Sequence, residues 1–116
     1  MRRRFRIKHP ADFEQLRKNG RRWNHPLALL IVYQTNSPIS RFAFSASKQV
    51  GNAVARNRAK RLLREAVRHH LTTIASGWDC LFVARTATAQ ATFLEVEAAV
   101  VQLLNRANVI ERDSKE

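Results

Sequence analysis

The sequence comprises 116 residues, 45% of them hydrophobic, and carries 21 Lys and Arg against 9 Asp and Glu, a formal net charge of +12. This length and apolar content predict one domain, residues 1–116, with a real core, and argue against wholesale disorder. So much positive charge favours an anionic partner, with nucleic acid ahead of an anionic membrane surface. The single cysteine, Cys80, excludes an internal disulfide and a cysteine-rich zinc site.

The first half of the chain predicts a helix followed by strands. Pro10 and Gly20 bracket a short amphipathic helix. Residues 27–33 have the apolar, β-branched and aromatic content of a buried strand, and a short extra strand near Trp23 is left open. Residues 41–47 alternate between apolar and polar, as in a half-buried strand. The short connection between these two strands predicts an antiparallel hairpin.

The second half predicts helix, strand and helix. Residues 53–71 form a helix, and residues 80–84 form an apolar strand that contains Cys80. Thr92 and Glu95 make a capping box at the start of a final helix. The whole order is α-β-β-α-β-α, an α+β fold in which helices cover a sheet.

The ends of the chain, residues 1–6 and 111–116, are expected to be flexible. The N-terminal arginines are not followed by the apolar stretch of a secretory signal, and no segment is long and apolar enough to span a membrane. A cytoplasmic protein is therefore expected.

The helix predicted over residues 53–71 separates its apolar and charged side chains. At about 100° per residue, alanine, valine and leucine side chains gather on one arc. The opposite arc carries Asn57, Arg58, Lys60, Arg61, Arg64 and Arg68, with Arg56 at the boundary. One arc is expected to pack on the sheet, while the other presents a column of cations.

The spacing of these cations favours phosphate binding. Lys60, Arg64 and Arg68 lie four residues apart, and like charges at that spacing destabilise a helix by about 0.2–0.5 kcal/mol per pair. Only Glu65 is interspersed as a counter-charge. Phosphates would reverse the sign of the repulsion, and the planar guanidinium of arginine suits their oxygens. Nucleic-acid binding is the function that this pattern predicts.

RNA is a better candidate than DNA, because strands flank the basic helix on both sides and a helix-turn-helix DNA reader needs two adjacent helices. Phe13, Phe42 and Phe44 are candidates for stacking on single-stranded bases, with packing in the core as the alternative. The acids are too scattered to predict a metal cage for hydrolysis. The residues therefore indicate an RNA-binding domain without a catalytic site of its own.

The run Ser47-Lys48-Gln49-Val50-Gly51-Asn52-Ala53-Val54-Ala55-Arg56-Asn57-Arg58-Ala59-Lys60-Arg61-Leu62-Leu63-Arg64-Glu65 resembles the signature of the bacterial ribonuclease P protein subunit. The main part of that signature reads Gly-x-Ala-Val-x-Arg-Asn-x-x-Lys-Arg-x-x-Arg-Glu, and residues 51–65 match it at every fixed position. The similarity extends to Asp12-Phe13, Gly20 and Ala84-Arg85.

The resemblance implies a single-layer mixed sheet packed by helices, akin to the second domain of ribosomal protein S5, with a left-handed βαβ crossover through the basic helix. It also implies a partner, the large catalytic RNA of ribonuclease P, with which the protein removes the 5′ leader of precursor tRNA. The RNA and substrate would hold the catalytic Mg²⁺. The resemblance implies no DNA, no membrane and no required protein oligomer.

The resemblance also assigns residues to two roles. The residues implied to bind the catalytic RNA are Arg58, Lys60, Arg61, Arg64 and Arg68. The residues implied to line a cleft for the leader are Phe13, Ser47, Lys48, Arg56, Asn57 and Arg85, with Tyr33 and Phe44 as walls. Many relatives carry an aromatic residue one turn after Phe13, where this chain has Arg17, so leader binding is expected to depend more on charge here.

Two alternatives are weighed against this assignment. A structural RNA-binding protein of ribosomal type would share the charge and the fold, but not the full Arg-Asn-x-x-Lys-Arg signature. A basic amphipathic membrane binder is disfavoured, because the apolar arc of the helix is rich in alanine and the rest of the chain is typical of a globular protein.

Overall fold

The helices and strands follow the predicted order, and the strand left open near Trp23 is present. The computed structural model describes residues 1–111, so most of the tail predicted to be flexible lies outside the described residues. The helices are α1 (Pro10–Asn19), α2 (Ala53–Arg68) and α3 (Phe93–Arg106), and the strands are β1 (Arg21–His25), β2 (Ala28–Gln34), β3 (Arg41–Ser45) and β4 (Trp78–Ala84). Short 3₁₀ turns lie at Arg3–Phe5, Lys48–Val50, Leu71–Thr73 and Thr86–Gln90.

Local side-chain chemistry sets the helix ends. α1 begins at Pro10 and stops before Gly20, where an added Cβ would collide with the carbonyl oxygen of Leu16 and the side chain of Ile31. α3 begins with the predicted capping box, in which the Thr92 hydroxyl accepts from the Glu95 amide (3.2 Å) and the Glu95 carboxylate accepts from the Thr92 amide (2.9 Å). α2 ends at Arg68, before the predicted end at residue 71.

The strand order corrects the predicted hairpin. The sheet is ordered β1-β2-β4-β3, so β4 lies between β2 and β3 and those two strands do not pair. The hairpin is instead formed by β1 and β2, with His25 opposite Ala28. β4 is antiparallel to β2 and parallel to β3. The parallel pairing makes β3, α2 and β4 a βαβ crossover as predicted, and its left-handedness stays a prediction.

Helices cover the two faces of the sheet unequally. α2 and α3 lie on one face, where they bury alternate residues of the strands; the largest are Leu30, Val32, Phe42 and Phe82. α1 lies on the other face, where its own Leu16 is completely buried against Ile31 and Leu81 of the sheet. Cys80 belongs to the α2–α3 core, where burial raises the pKa of its thiol, as expected of a core residue.

The N-terminal segment lies along the outer edge of β3. Arg3–Phe5 form a 3₁₀ turn, Arg6 bridges to Phe42, and the Ile7 amide donates to the Phe42 carbonyl oxygen at 2.9 Å. The predicted flexibility of residues 1–6 stays a prediction. None of the helices within residues 1–111 has the length and hydropathy needed to cross a membrane.

Candidate RNA interface

α2 is amphipathic in the way that the sequence predicts. Its N-terminus is capped by Asn52, whose side-chain oxygen accepts from the Ala55 amide at 2.9 Å. Just before it, Gly51 has a φ of 146°, a conformation that side-chain-bearing residues rarely adopt. The buried side is formed by Ala59, Leu63, Ala66 and Val67.

The opposite side of α2 presents the predicted cations. Arg61 and Arg68 are exposed, while Lys60 and Arg64 are half-buried. Arg68 pairs with Glu65 at 2.8 Å, and this hydrogen-bonded pairing raises the pKa of Arg68 and lowers that of Glu65. The single acid of this surface is therefore already paired within the helix. Arg61 lies on the same surface, where its guanidinium is accessible to an anionic partner.

Arg58 is exposed, but its guanidinium also contacts the backbone of a turn more than thirty residues further along the chain. Its Nε donates to the Ala89 carbonyl oxygen at 2.7 Å, and its Nη2 donates to the Ala91 carbonyl oxygen at 3.3 Å. These contacts join α2 to the 86–90 turn (Thr86–Gln90). Sequence reasoning assigned Arg58 to the RNA-binding set with no sign of this internal contact.

A groove of about 190 Å³ runs along the edge of β3, and it is named here the β3-edge groove. It is lined by Met1, Arg6, Ile7, Phe13, Phe42, Ala43, Phe44 and Arg64. The Arg64 guanidinium lies 5.6 Å from the centre of the Phe44 ring, which stacks on Phe82 at 5.9 Å. Aromatic rings beside guanidinium groups are a combination that binds single-stranded nucleic acid.

The β3-edge groove mixes the two predicted sets of residues. Phe13 and Phe44 were assigned to the leader cleft and Arg64 to the catalytic RNA, yet all three line one groove. Tyr33 packs beside α1 without lining this groove. Arg17 is exposed and pairs with Glu14 at 2.9 Å, so its charge is partly compensated within α1.

A second group of predicted leader residues lies where β3 leads into α2. Ser47 and Lys48 are exposed, and the Ser47 hydroxyl accepts from the Gln49 amide at 3.3 Å. Arg56 is half-buried and donates to the Gly51 carbonyl oxygen at 3.0 Å, whereas Asn57 is exposed. The turn and the cap before α2 thus fix the backbone that carries these residues.

Arg85 reaches the interface from the end of β4. Its backbone amide donates to the Thr88 hydroxyl at 2.8 Å, and its guanidinium hydrogen-bonds the side chain of Asn24 on β1. Arg85 is half-buried. The structure therefore brings this distant residue to the same face of the sheet as Phe13 and Ala43.

Sequence reasoning missed an ion-pair network that fixes α1 to the sheet. Arg41 contacts Asp79 through Nε (3.0 Å) and Nη2 (2.8 Å), and it contacts Asp12 of α1 through Nη1 (3.2 Å). Asp79 is only 3% exposed, and its hydrogen bonds raise the pKa of Arg41. The sequence did contain a signal for this network, because Asp79 is a charged residue within the otherwise apolar strand β4. The network positions Phe13, which follows Asp12 directly.

The same contacts bear on metal binding. Asp12 and Asp79 are both engaged by Arg41, which leaves their oxygens poorly disposed towards a cation. Within residues 1–111, no three His, Cys, Asp or Glu side chains are grouped closely enough to hold a metal ion.

Comparison with known proteins supports the same family over nearly the whole chain. The family model for ribonuclease P matches residues 1–108. The ribonuclease P protein component of Roseiflexus castenholzii is 39% identical over 112 residues, covering 96% of this chain and 92% of that protein. The solved ribonuclease P protein of Staphylococcus aureus superposes with a TM-score of 0.83 at 30% identity, covering 92% of this chain and 98% of that one.

A second solved structure from the same species gives a similar result. It is a mutant of the Staphylococcus aureus ribonuclease P protein, described as having defective mRNA degradation activity. It superposes with a TM-score of 0.84 at 31% identity, covering 91% of this chain and 90% of that one. Together with the mixed four-stranded sheet and the basic face of α2, these likenesses show that the chain belongs to the ribonuclease P protein family, RNA-binding components of a tRNA-processing ribonucleoprotein.

Proposed function

We propose that the chain binds the catalytic RNA of ribonuclease P through the exposed cations of α2 and binds the 5′ leader of precursor tRNA beside α1. The RNA performs the cleavage, and the protein promotes it by holding substrate and RNA together. The observation that carries the proposal is the β3-edge groove, where Phe13, Phe44 and Arg64 combine stacking surfaces with a cation.

The division of chemistry follows from the side chains. Metal-assisted hydrolysis of a phosphodiester needs carboxylates free to hold the ion. The buried carboxylate of Asp79 is engaged by Arg41. Mg²⁺ would therefore be held by the RNA and the substrate, and the protein would supply cations that position and neutralise phosphates.

Reconstitution tests the proposal. Precursor tRNA cleavage is measured at low Mg²⁺ with the catalytic RNA alone, with the protein alone, and with both. The expected result is correct 5′ cleavage by the RNA, acceleration on adding the protein, and no cleavage by the protein alone. Binding to the catalytic RNA without acceleration would favour a purely structural RNA-binding role.

A second experiment addresses mRNA degradation, the activity named for the Staphylococcus aureus protein. The protein is incubated with an mRNA in the absence of the catalytic RNA, after removal of contaminating nucleases. The expected result is an intact mRNA. Degradation that copurifies with the folded protein would contradict the assignment of all chemistry to the RNA.

A further inference from the structure

The 86–90 turn touches the separate chain segments that carry predicted leader residues. It packs against α2, which carries Arg56 and Asn57, and against the 3₁₀ turn Lys48–Val50. It also follows Arg85 directly. Residues far apart in the sequence thus share one short scaffold.

The start of the turn is fixed by a buried hydroxyl. Thr88 has no exposed surface, and its Oγ1 accepts from the Arg85 amide at 2.8 Å. The same hydroxyl donates to the Leu27 carbonyl oxygen at 2.7 Å, in the connection between β1 and β2. A buried hydroxyl with both roles satisfied is costly to remove, because its partners are left without hydrogen bonds. Thr88 therefore fixes the backbone from which the Arg85 side chain extends.

The other end of the turn is fixed by Arg58. Its planar guanidinium donates from two nitrogens to the carbonyl oxygens of Ala89 and Ala91. Lysine would keep the charge but could not reproduce this fixed two-nitrogen geometry. Arg58 and Arg61 are both exposed, so these two hydrogen bonds to the backbone of the 86–90 turn, and not burial, are what set Arg58 apart.

We propose that Arg58 and Thr88 are positioning residues for leader recognition. They hold the 86–90 turn so that Arg85 acts on the same RNA strand as Lys48 and Arg56. This inference rests on the proposed function and deepens it. Arg58 then influences substrate choice through Arg85, and its contribution to docking the catalytic RNA is minor.

The test compares conservative variants in the reconstituted holoenzyme. Affinity is measured for precursor tRNA and for mature tRNA, and the ratio of the two reports leader recognition. Arg58→Lys should lower this ratio about tenfold, because small displacements of a positioned group are costly. Arg22→Lys is the control, because it makes the same exchange at an exposed arginine of β1 that belongs to neither predicted set, and it should leave the ratio nearly unchanged.

Thr88 gives an independent pair of variants. Thr88→Val removes the hydroxyl at nearly constant shape and should lower the ratio, whereas Thr88→Ser keeps the hydroxyl and should retain it. Thermal melting of each variant identifies loss of folding. If Thr88→Val does not fold, Arg58→Lys, alone and combined with Arg85→Gln, still tests whether the turn positions Arg85.

A double variant separates positioning from direct contact. If Arg58 acts through Arg85, Arg58→Lys combined with Arg85→Gln should lower the ratio no further than Arg85→Gln alone. Additive losses would overturn the proposal, as would an Arg58→Lys holoenzyme with unchanged selectivity or with weakened binding of the catalytic RNA. A wild-type holoenzyme without preference for precursor tRNA would instead refute the proposed function itself.

Discussion

The two faces of the sheet are built from the same strands but are covered to different extents. On the α2–α3 face, Leu30 and Phe82 are completely buried. Their neighbours in sequence on the α1 face, Leu29 and Val83, are half-buried. The α2–α3 face thus contributes mainly to stability, while the α1 face leaves part of its apolar surface accessible to solvent. A protein of this size can in this way keep a full core and still present apolar surface for stacking.

Truncating two neighbouring residues of β4 tests whether the two faces of the sheet differ in their contribution to stability. Phe82→Ala should reduce the free energy of unfolding by about 3–5 kcal/mol, because it leaves a cavity in the α2–α3 core. Val83→Ala, one residue further along, should cost about 1 kcal/mol, because its side chain is already partly hydrated. Urea denaturation of the two variants provides the measurement. Equal losses would mean that the two faces contribute equally to stability.

The ion-pair network offers a second test, because it is the polar part of the α1 face. Asp79→Asn should destabilise the fold by about 2–3 kcal/mol, less than a fully buried pair, because the Arg41 side chain is 25% exposed. Asp12→Asn should cost less, since Arg41 keeps its two contacts to Asp79. Thermal unfolding of both variants checks the order, and the reverse order would contradict the central place of Asp79.

The leader assignment of the α1 face depends on Phe13. Phe13→Ala should weaken the binding of precursor tRNA to the holoenzyme by about 1–3 kcal/mol, the value of one stacked base. Mature tRNA should bind nearly as before, and so should the catalytic RNA. Because Phe13 is only half-buried, the melting temperature should fall much less than for Phe82→Ala. A large fall with equal loss of every RNA interaction would place Phe13 in the core instead.

The smallest effect is expected on the cationic surface of α2. The logarithm of the binding constant for the catalytic RNA falls linearly with the logarithm of salt concentration. Arg61→Ala should make the slope of that line shallower by about 0.7–0.9, the value of one lost phosphate contact. The helical circular dichroism signal should be unchanged, since Arg61 is exposed. Arg64→Ala serves as the comparison, because it also removes the guanidinium beside Phe44. An unchanged salt slope for Arg61→Ala would remove this residue from the interface.

Features determined within a few residues could be predicted from the sequence. The capping box of Thr92 and Glu95, the limits of α1 and the two sides of α2 all depend on neighbours within about one turn. The prediction of a β2–β3 hairpin was wrong, because alternating apolar and polar residues identify the buried face of a strand but not its partner in the sheet. Both strands instead pair with β4, which comes much later in the chain.

The candidate site shows the same limit. The basic surface of α2 was predicted from helical spacing. By contrast, the internal role of Arg58 depends on carbonyl oxygens of the 86–90 turn, and the Arg41 network joins three separate elements. A local pattern identifies a cation, but only the tertiary structure shows which distant backbone or side-chain groups that cation contacts.

The position of β4 between β2 and β3 has a consequence for synthesis on the ribosome. The chain emerges N-terminus first, so β1 and β2 can pair early. β3 is made next, yet its partner in the sheet, Trp78–Ala84, follows only after the whole of α2. During that interval the apolar Phe42 and the pairing edge of β3 are open to other chains. The first half of the protein holds three of the four strands and still cannot complete the sheet.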